Sequence, residues 1–341
     1  MTLPIPKSYR PMEAQSASEL PGGPEWQYEP KWDGFRCLAF RDGAHVELES
    51  KSGKPLTRYF PEIVEAAKAL APKKFVLDGE IVIPVDGGLS FDDLLMRIHP
   101  AASRVLKLSH TTPAVLIVFD VLVDDTGKLL VNKNLKERRI QLEKFSGKYL
   151  KEDGMIRLSP YTTKLETARK WFHMGVGLDG IIAKRTDLPY QSGERTGMQK
   201  IKKQRTADCV VGGFRYLEKK RLVGSLLLGL YNDKGLLDHV GFTSSIHDEE
   251  RAALTKKLEK LIEPPGFTGK APGGLSRWST KHSMEWQPLE PVLVAEVQFD
   301  HFTGGRFRHG TRFLRWRPEK APKQCTMKQV KRESQSALGL L

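Results

Sequence analysis

Lys31, Asp33, Gly34 and Arg36 crowd into the run Glu29-Pro30-Lys31-Trp32-Asp33-Gly34-Phe35-Arg36. A lysine amine is a nucleophile only when neutral, and an ordinary lysine is charged at neutral pH. Burial or cationic neighbours make one reactive. The same run also describes a charged strand edge closing in an Asp-Gly turn. Further along, Lys200 and Lys202 sit at i and i+2, a spacing that puts both on one face of a strand. Taken alone, that pair is a solvated basic strand edge. Arg315, Arg317 and Lys320 alternate near the end of the chain and, taken alone, are an exposed basic strand.

The elements that must hold these residues follow from periodicity and turn chemistry. Residues 1–25, rich in proline, read as a loosely structured lead-in. A strand over 36–41, an Asp42-Gly43 turn and a return strand over 45–49 form a hairpin. Helices are expected over 61–70, 91–98, 134–145 and 163–174, and strands over 75–84, 114–123 and 180–184, with a turn at Asp86-Gly87-Gly88. This mixture of antiparallel strands and interspersed helices gives an α+β class. Near Thr206 the rhythm changes. Strands over 208–216, 222–231 and 236–243 precede a helix over 247–262, then strands over 292–299 and 312–317. Five strands with a helix after the third is the order of an OB-fold barrel. The expected division is an α+β domain over 1–205 and an OB-fold domain with a basic tail over 206–341. The chain from Lys320 on is expected to be partly ordered.

Composition narrows the class. With 341 residues, 39% hydrophobic and 28% charged, the chain has room for two cores. No apolar run has membrane-spanning length and no signal peptide pattern opens the chain, so a cytoplasmic protein without membrane contact is expected. Cys37, Cys209 and Cys325 are too scattered for a zinc module or a disulfide framework. The net charge of +14 points to a polyanionic partner, nucleic acid before membrane.

Read in order, the motifs resemble those of the covalent nucleotidyltransferases: the ATP-dependent DNA ligases, and specifically the small stand-alone bacterial kind called ligase C. The resemblance covers about Pro11 to Lys320. Lys31-Trp32-Asp33-Gly34-Phe35-Arg36 is similar to the first motif, and Ser50-Lys51-Ser52-Gly53 to the second, where relatives usually carry arginine at Lys51. Leu77-Asp78-Gly79-Glu80 resembles the third, and Val118-Phe119-Asp120-Val121-Leu122 the segment after it. Leu178-Asp179-Gly180-Ile181-Ile182-Ala183-Lys184 resembles the fourth, with aspartate where most relatives have glutamate. Lys200-Ile201-Lys202 resembles the fifth, and the run from Arg312 to Lys320 the sixth.

The resemblance implies ATP as cosubstrate with Mg²⁺ or Mn²⁺, and Lys31 as the nucleophile that becomes lysyl-AMP. Lys200 and Lys202 would bind the α-phosphate, their charge disfavouring protonation of Lys31. Glu29 would face the adenine amino group and Phe119 its ring, although pattern alone reads Phe119 equally as core. Arg36 and Lys51 match positions that hold the ribose and the nick 5′-phosphate. Lys51 lacks the bidentate fork of arginine, which implies a softer grip. Glu80 and Asp179 read as metal or ribose contacts, with Asp179 short enough that a water-bridged contact competes with direct coordination. Asp33 either closes its turn or assists the last step. Arg315, Arg317 and Lys320 would orient the pyrophosphate in the first step. The implied partner is nicked double-stranded DNA, bound by a monomer at the bacterial nucleoid. A repair polymerase or primase partner leaves no signature in the sequence. The short lead-in leads us to expect neither an N-terminal DNA-binding domain nor nuclease and polymerase domains.

Two other classes compete. An RNA ligase or capping-type nucleotidyltransferase would share Lys31, but the 312–320 string follows the ligase pattern. A non-catalytic nucleic-acid-binding OB protein would not need Lys31, Glu80 and Lys200 together.

Overall fold

The computed structural model describes residues 2–85, 88–173, 178–273, 285–330 and 340. The chain divides into two compact units, the first running through Lys203 and the second starting at Gln204.

The first unit is built on two sheets. The larger is five-stranded, in the order His45–Ser50, Phe35–Asp42, Lys74–Val82, Val115–Val123, Ile156–Leu158. Its first hairpin turns at Gly43, whose φ of 64° favours glycine. Strand Val115–Val123, apolar apart from Asp120, is buried along its whole length. The smaller sheet is four-stranded: Gln15–Ser16, Met198–Lys202, Gly180–Arg185, Trp26–Pro30. Helices Pro61–Ala69, Phe91–Met96, Ala102–Thr111, Leu135–Tyr149 and Leu165–His173 complete the unit. Leu135–Tyr149 starts in a full capping box between Asn134 and Glu137.

Several expectations change here. The lead-in is docked: Ile5 and Met12 are buried, and Gln15–Ser16 is a strand running parallel to Met198–Lys202. Ile156–Leu158 likewise pairs in parallel with Val115–Val123, so the sheets are mostly, not wholly, antiparallel. Helix Ala102–Thr111 was not expected from its polar sequence, which buries only Val105 and Ser109. The expected Asp86-Gly87 turn lies outside the described residues, as does Met174 at the end of the expected fourth helix.

The second unit is the barrel. Its strands run in the order Leu237–Thr243, Lys220–Tyr231, Arg205–Leu217, Val294–Phe299, Arg312–Trp316, with Gln287–Pro288 also pairing on Arg205–Leu217. A bridge between Thr243 and Thr311 joins the outer strands and closes the ring. Helix Asp248–Glu259 follows the third strand. This is the OB-fold order. The tail is ordered through two short 3₁₀ turns, and Cys325 and Val330 are buried in the barrel core.

Candidate active site

A cleft of about 200 Å³ opens between the two sheets of the first unit. The larger sheet contributes Arg36, Glu80 and Phe119. The smaller contributes Glu29, Ile182, Lys184, Met198 and Lys200, and Lys31, Lys51 and Met12 also line it. A wider groove of about 1220 Å³ shares Arg36, Lys51 and Glu80 with it and continues past Ser52, Lys54 and Arg58.

Lys31 directly follows strand Trp26–Pro30. Its N–H donates to the Gly180 carbonyl at 3.0 Å, and its own carbonyl accepts from Asp179 N at 2.9 Å. This two-bond clamp fixes the base of the side chain. Nζ donates to Asp179 Oδ2. Lys202 Nζ lies 3.9 Å from the same oxygen. Asp179 is thus held between two ammonium groups in a buried position. Two glycines make the arrangement possible. A Cβ on Gly180, whose φ is +145°, would sit 2.0 Å from the Ile201 carbonyl oxygen. A Cβ on Gly34 would sit 2.1 Å from that of Ile81. Only glycine fits either approach.

Lys200 pairs across the sheet with Ile182, and Lys202 with Gly180, so the expected shared face is present. Burial pushes the Lys200 ammonium pKa down, and Lys202, Lys31, Lys51 and Arg195 push it further. Glu80 lies opposite Arg36 in the register. Burial raises its carboxyl pKa to about 7; Arg36 and Lys31 oppose this, whereas Asp33 and Asp78 add to it.

Arg36 is gripped from behind. Nε and Nη2 each donate to Asp78 at 2.6 Å, and Nη2 also reaches the Met12 carbonyl at 3.3 Å. Tyr190 donates its hydroxyl to Asp78 at 2.6 Å and accepts from Met12 N at 2.9 Å. Burial works against the guanidinium charge, yet Asp78 outweighs it and the pKa is raised. Phe119 sits at a β-bulge: Gly79 faces Val118 and Asp78 faces Asp120, leaving Phe119 as the extra residue. The bulge presents its ring between Arg36 at 4.6 Å and Lys184 at 4.4 Å. Lys184 also pairs with Glu29 at 2.7 Å, while Gln27 donates to the other Glu29 oxygen at 2.8 Å.

The chain belongs to the ATP-dependent DNA ligase family. Residues 11–202 match its ATP dependent DNA ligase domain, and residues 219–320 its ATP dependent DNA ligase C terminal region. DNA ligase C2 of Mycolicibacterium smegmatis is 44% identical, covering 97% of this chain and 96% of the relative. DNA ligase C of Mycobacterium tuberculosis is 42% identical over the same shares. A solved Lig E DNA ligase, 16% identical, superposes with a TM-score of 0.55 over 90% of this chain and 99% of its own, a likeness of fold.

Within this ligase, Glu29, Lys31, Arg36, Lys51, Glu80, Phe119 and Lys200 meet in one cleft, and Asp179 and Lys202 adjoin it through Lys31. Lys51 is tied to Glu13 at 3.0 Å, and Arg195 shares that carboxylate at 2.8 Å. Arg315, Arg317 and Lys320 belong to the barrel. There Arg315 pairs with Glu296 at 2.7 Å, Arg317 with Asp208 at 2.9 Å, and Lys320 with Asp208 at 3.5 Å. Lys184, Asp78 and Tyr190 were not singled out from sequence. Lys184 closes the fourth motif string two residues after Ile182, so alternation alone places both on one face. Asp78 stands inside the third motif, but nothing in the sequence announces Tyr190 as its partner.

Proposed function

We propose that this ligase seals nicks in double-stranded DNA through three transfers of one AMP group. Lys31 Nζ attacks the α-phosphate of ATP. A nitrogen–phosphorus bond forms, the bond to pyrophosphate breaks, and the amine proton leaves. The AMP then passes to the 5′-phosphate at the nick, freeing Lys31. Finally the 3′-hydroxyl attacks that phosphate, AMP departs, and a phosphodiester remains. The observation that carries the reading is Lys31 in the cleft, clamped at its backbone and flanked by Asp179, Lys200 and Lys202.

The other residues take roles that their surroundings support. The Lys31 ammonium has to lose a proton before its lone pair can attack, and a remaining N–H can keep its bond to Asp179. Lys200 and Lys202 supply positive charge for the α-phosphate, because phosphoryl transfer depends on positioning and charge. Phe119 offers a ring face for adenine and Glu29 a carboxylate for its amino group. Arg36 and Lys51, lying in both the cleft and the wider groove, suit the ribose and the nick phosphate.

Glu80 and Asp179 fit Mg²⁺ or Mn²⁺ by donor chemistry, being hard carboxylate oxygens. The described residues contain no group of three or more metal-binding side chains, so nucleotide phosphates and water would fill the remaining positions. A bound divalent ion there would supply charge neutralisation for the phosphates. Arg315, Arg317 and Lys320 act on the pyrophosphate in the first transfer. The same reading has the ligase act as a monomer at the nucleoid. No helix among the described residues is long and apolar enough to cross a membrane.

Labelled ATP tests the reading directly. The protein should take up label from ATP and not from GTP, and Lys31→Ala should take up none. The same variant should still seal a nick that already carries 5′-AMP, since that step needs no lysyl adduct. Labelling of Lys31→Ala at the wild-type level would remove Lys31 from its role.

A further inference from the structure

Among the cations that line the cleft and the wider groove stands a carboxylate, that of Glu13, which borders both beside Arg36, Lys51 and Glu80. Its backbone is stapled from several sides. The preceding residue, Met12, donates its N–H to the Tyr190 hydroxyl at 2.9 Å, and its carbonyl accepts from Arg36 at 3.3 Å. Glu13 N donates to the Glu194 carbonyl at 2.8 Å. Two residues on, Gln15–Ser16 pairs in parallel with Met198–Lys202, which sets Ser16 opposite Lys200. The chain here is fixed to the walls of the site, so the position of the Glu13 side chain is set by the fold.

Two cations converge on one of its oxygens. Lys51 Nζ lies 3.0 Å from Glu13 Oε2. Arg195 reaches the same oxygen through Nη2 at 2.8 Å and Nε at 2.9 Å. Lys51 directly follows strand His45–Ser50 of the larger sheet, and Arg195 shortly precedes strand Met198–Lys202 of the smaller. Residues from both sides of the site are thus drawn to a single point. The hydrogen bond from Lys51, ahead of every other influence, holds the Glu13 carboxyl below the usual glutamate range, so it is ionised at neutral pH. Yet the two cations stay largely open to solvent, with side chains 56% and 67% exposed. Ion pairs in such positions are weak and easily exchanged.

The sign of the charge is what calls for an explanation. Lys31, Arg36, Lys51, Lys54, Arg58 and Lys200 make the cleft and groove attractive to phosphate. An acid at the meeting point of two cations repels a phosphate that approaches them. A terminal phosphate, however, carries about −1.5 to −2 charges and three acceptor oxygens. It therefore offers an ammonium and a guanidinium more than a carboxylate can.

We propose that Glu13 is a displaceable stand-in for the 5′-phosphate of the nick: it gathers Lys51 and Arg195 in the free enzyme, and the DNA phosphate has to evict it to reach them. Glu13 then sets how tightly that phosphate is held. Eviction subtracts from the affinity for the nick. After sealing, the phosphate is a diester with a single charge, and the carboxylate takes its cations back as the product leaves. The proposal rests on the ligase reading, which gives Lys51 the nick phosphate, and adds to it the protein's own competing anion.

The test is binding of full-length, AMP-loaded protein to two nicked duplexes, one with a 5′-phosphate at the nick and one with a 5′-hydroxyl. Both end in a 3′-dideoxy nucleotide, so that neither can be sealed, and chelator is added after loading. Glu13→Gln keeps the length of the side chain and a carbonyl acceptor but removes the charge. It should tighten binding to the 5′-phosphate nick by roughly two- to tenfold, the range that exposed ion pairs support, and change binding to the 5′-hydroxyl nick little. Glu13→Ala, which removes the carboxyl altogether, should also tighten the first. Glu13→Asp, which keeps the charge, should stay nearer to wild type than either. Thermal midpoints within error of wild type show that the variants are folded.

Folded Glu13→Gln and Glu13→Ala that bind the 5′-phosphate nick no tighter than wild type overturn the proposal; the carboxylate would then only hold the two cations in place. Equal tightening at both nicks also overturns it, because the effect would be one of general charge and not of the terminal phosphate. A wild-type protein that takes up AMP but binds the two nicks equally removes Lys51 from the nick phosphate and this proposal with it. A wild-type preference for the 5′-phosphate that the variants leave unchanged sinks the role of Glu13 alone.

Discussion

Glu80 keeps a proton that an exposed glutamate would have lost. Its folded pKa of about 7 lies above the unfolded value, chiefly through burial. Between roughly pH 4.5 and 7 the folded state binds a proton that the unfolded chain has released, so stability falls as pH rises through that window. Below it, both states are protonated and the penalty vanishes. In chelator and without nucleotide, the thermal midpoint of wild type should fall relative to Glu80→Gln between about pH 5 and about pH 8. A pH-independent gap would mean that Glu80 is already ionised in the free protein. Lys200 carries the opposite signature, a cation made costly by burial and by other cations, which an anion in the cleft relieves. This explains why neither residue is a bystander, yet neither could be ranked from sequence. The motif strings locate Glu80 and Lys200, but their electrostatics depend also on Asp33, Lys51 and Arg195, which only the folded chain brings near.

Strand Val115–Val123 shows how an element serves the cleft. Its bulge turns Phe119 inward, and the next residue pins the strand: Asp120 is forked by Arg138 Nε at 2.8 Å and Nη2 at 2.9 Å from helix Leu135–Tyr149. Both side chains are buried, and removing one partner of such a pair strands the other charge, at a cost of about 3 kcal/mol or more. Asp120→Ala should lower the urea midpoint accordingly and weaken ATP binding with it, whereas a loss under about 1 kcal/mol would show the pair to be dispensable.

The last barrel strand and its exit make a second case. Arg315, Arg317 and Lys320 are held by Glu296 and Asp208, so each can exchange a carboxylate for a phosphate with little change in its own charge pairing. Arg317→Ala should slow adenylation from ATP more than sealing of pre-adenylated DNA; equal losses would make the cluster a general DNA contact. Elements whose signals are local were legible in the sequence: the 42–45 hairpin turn, the mostly apolar strand Val115–Val123 and the order of the barrel strands. Gln15–Ser16 was not, because its partner Met198–Lys202 lies far along the chain and two residues carry no period. The Arg36–Asp78–Tyr190 linkage was missed for the same reason, although both ends of its first pair stood in quoted motifs.

The molecule as a whole carries +14, spread from end to end. Part of that charge is consumed internally, in buried pairs such as Arg97 with Glu62 and Arg138 with Asp120. The rest is left to attract the DNA backbone, and attraction of that kind releases counterions and weakens steeply with salt. With about five phosphate contacts, raising salt from about 50 to about 200 mM should weaken DNA binding on the order of several hundred-fold. Adenylation depends on a cleft in which Glu80, Lys200 and Asp179 are partly or wholly shielded from solvent, where screening acts less strongly. Nick sealing at low DNA concentration should therefore collapse across this range while uptake of AMP by Lys31 persists. Measuring both rates along one salt series separates the two demands on the surface charge. If they decline in parallel, salt acts on the cleft or on the fold, and the excess positive charge is not what holds the DNA.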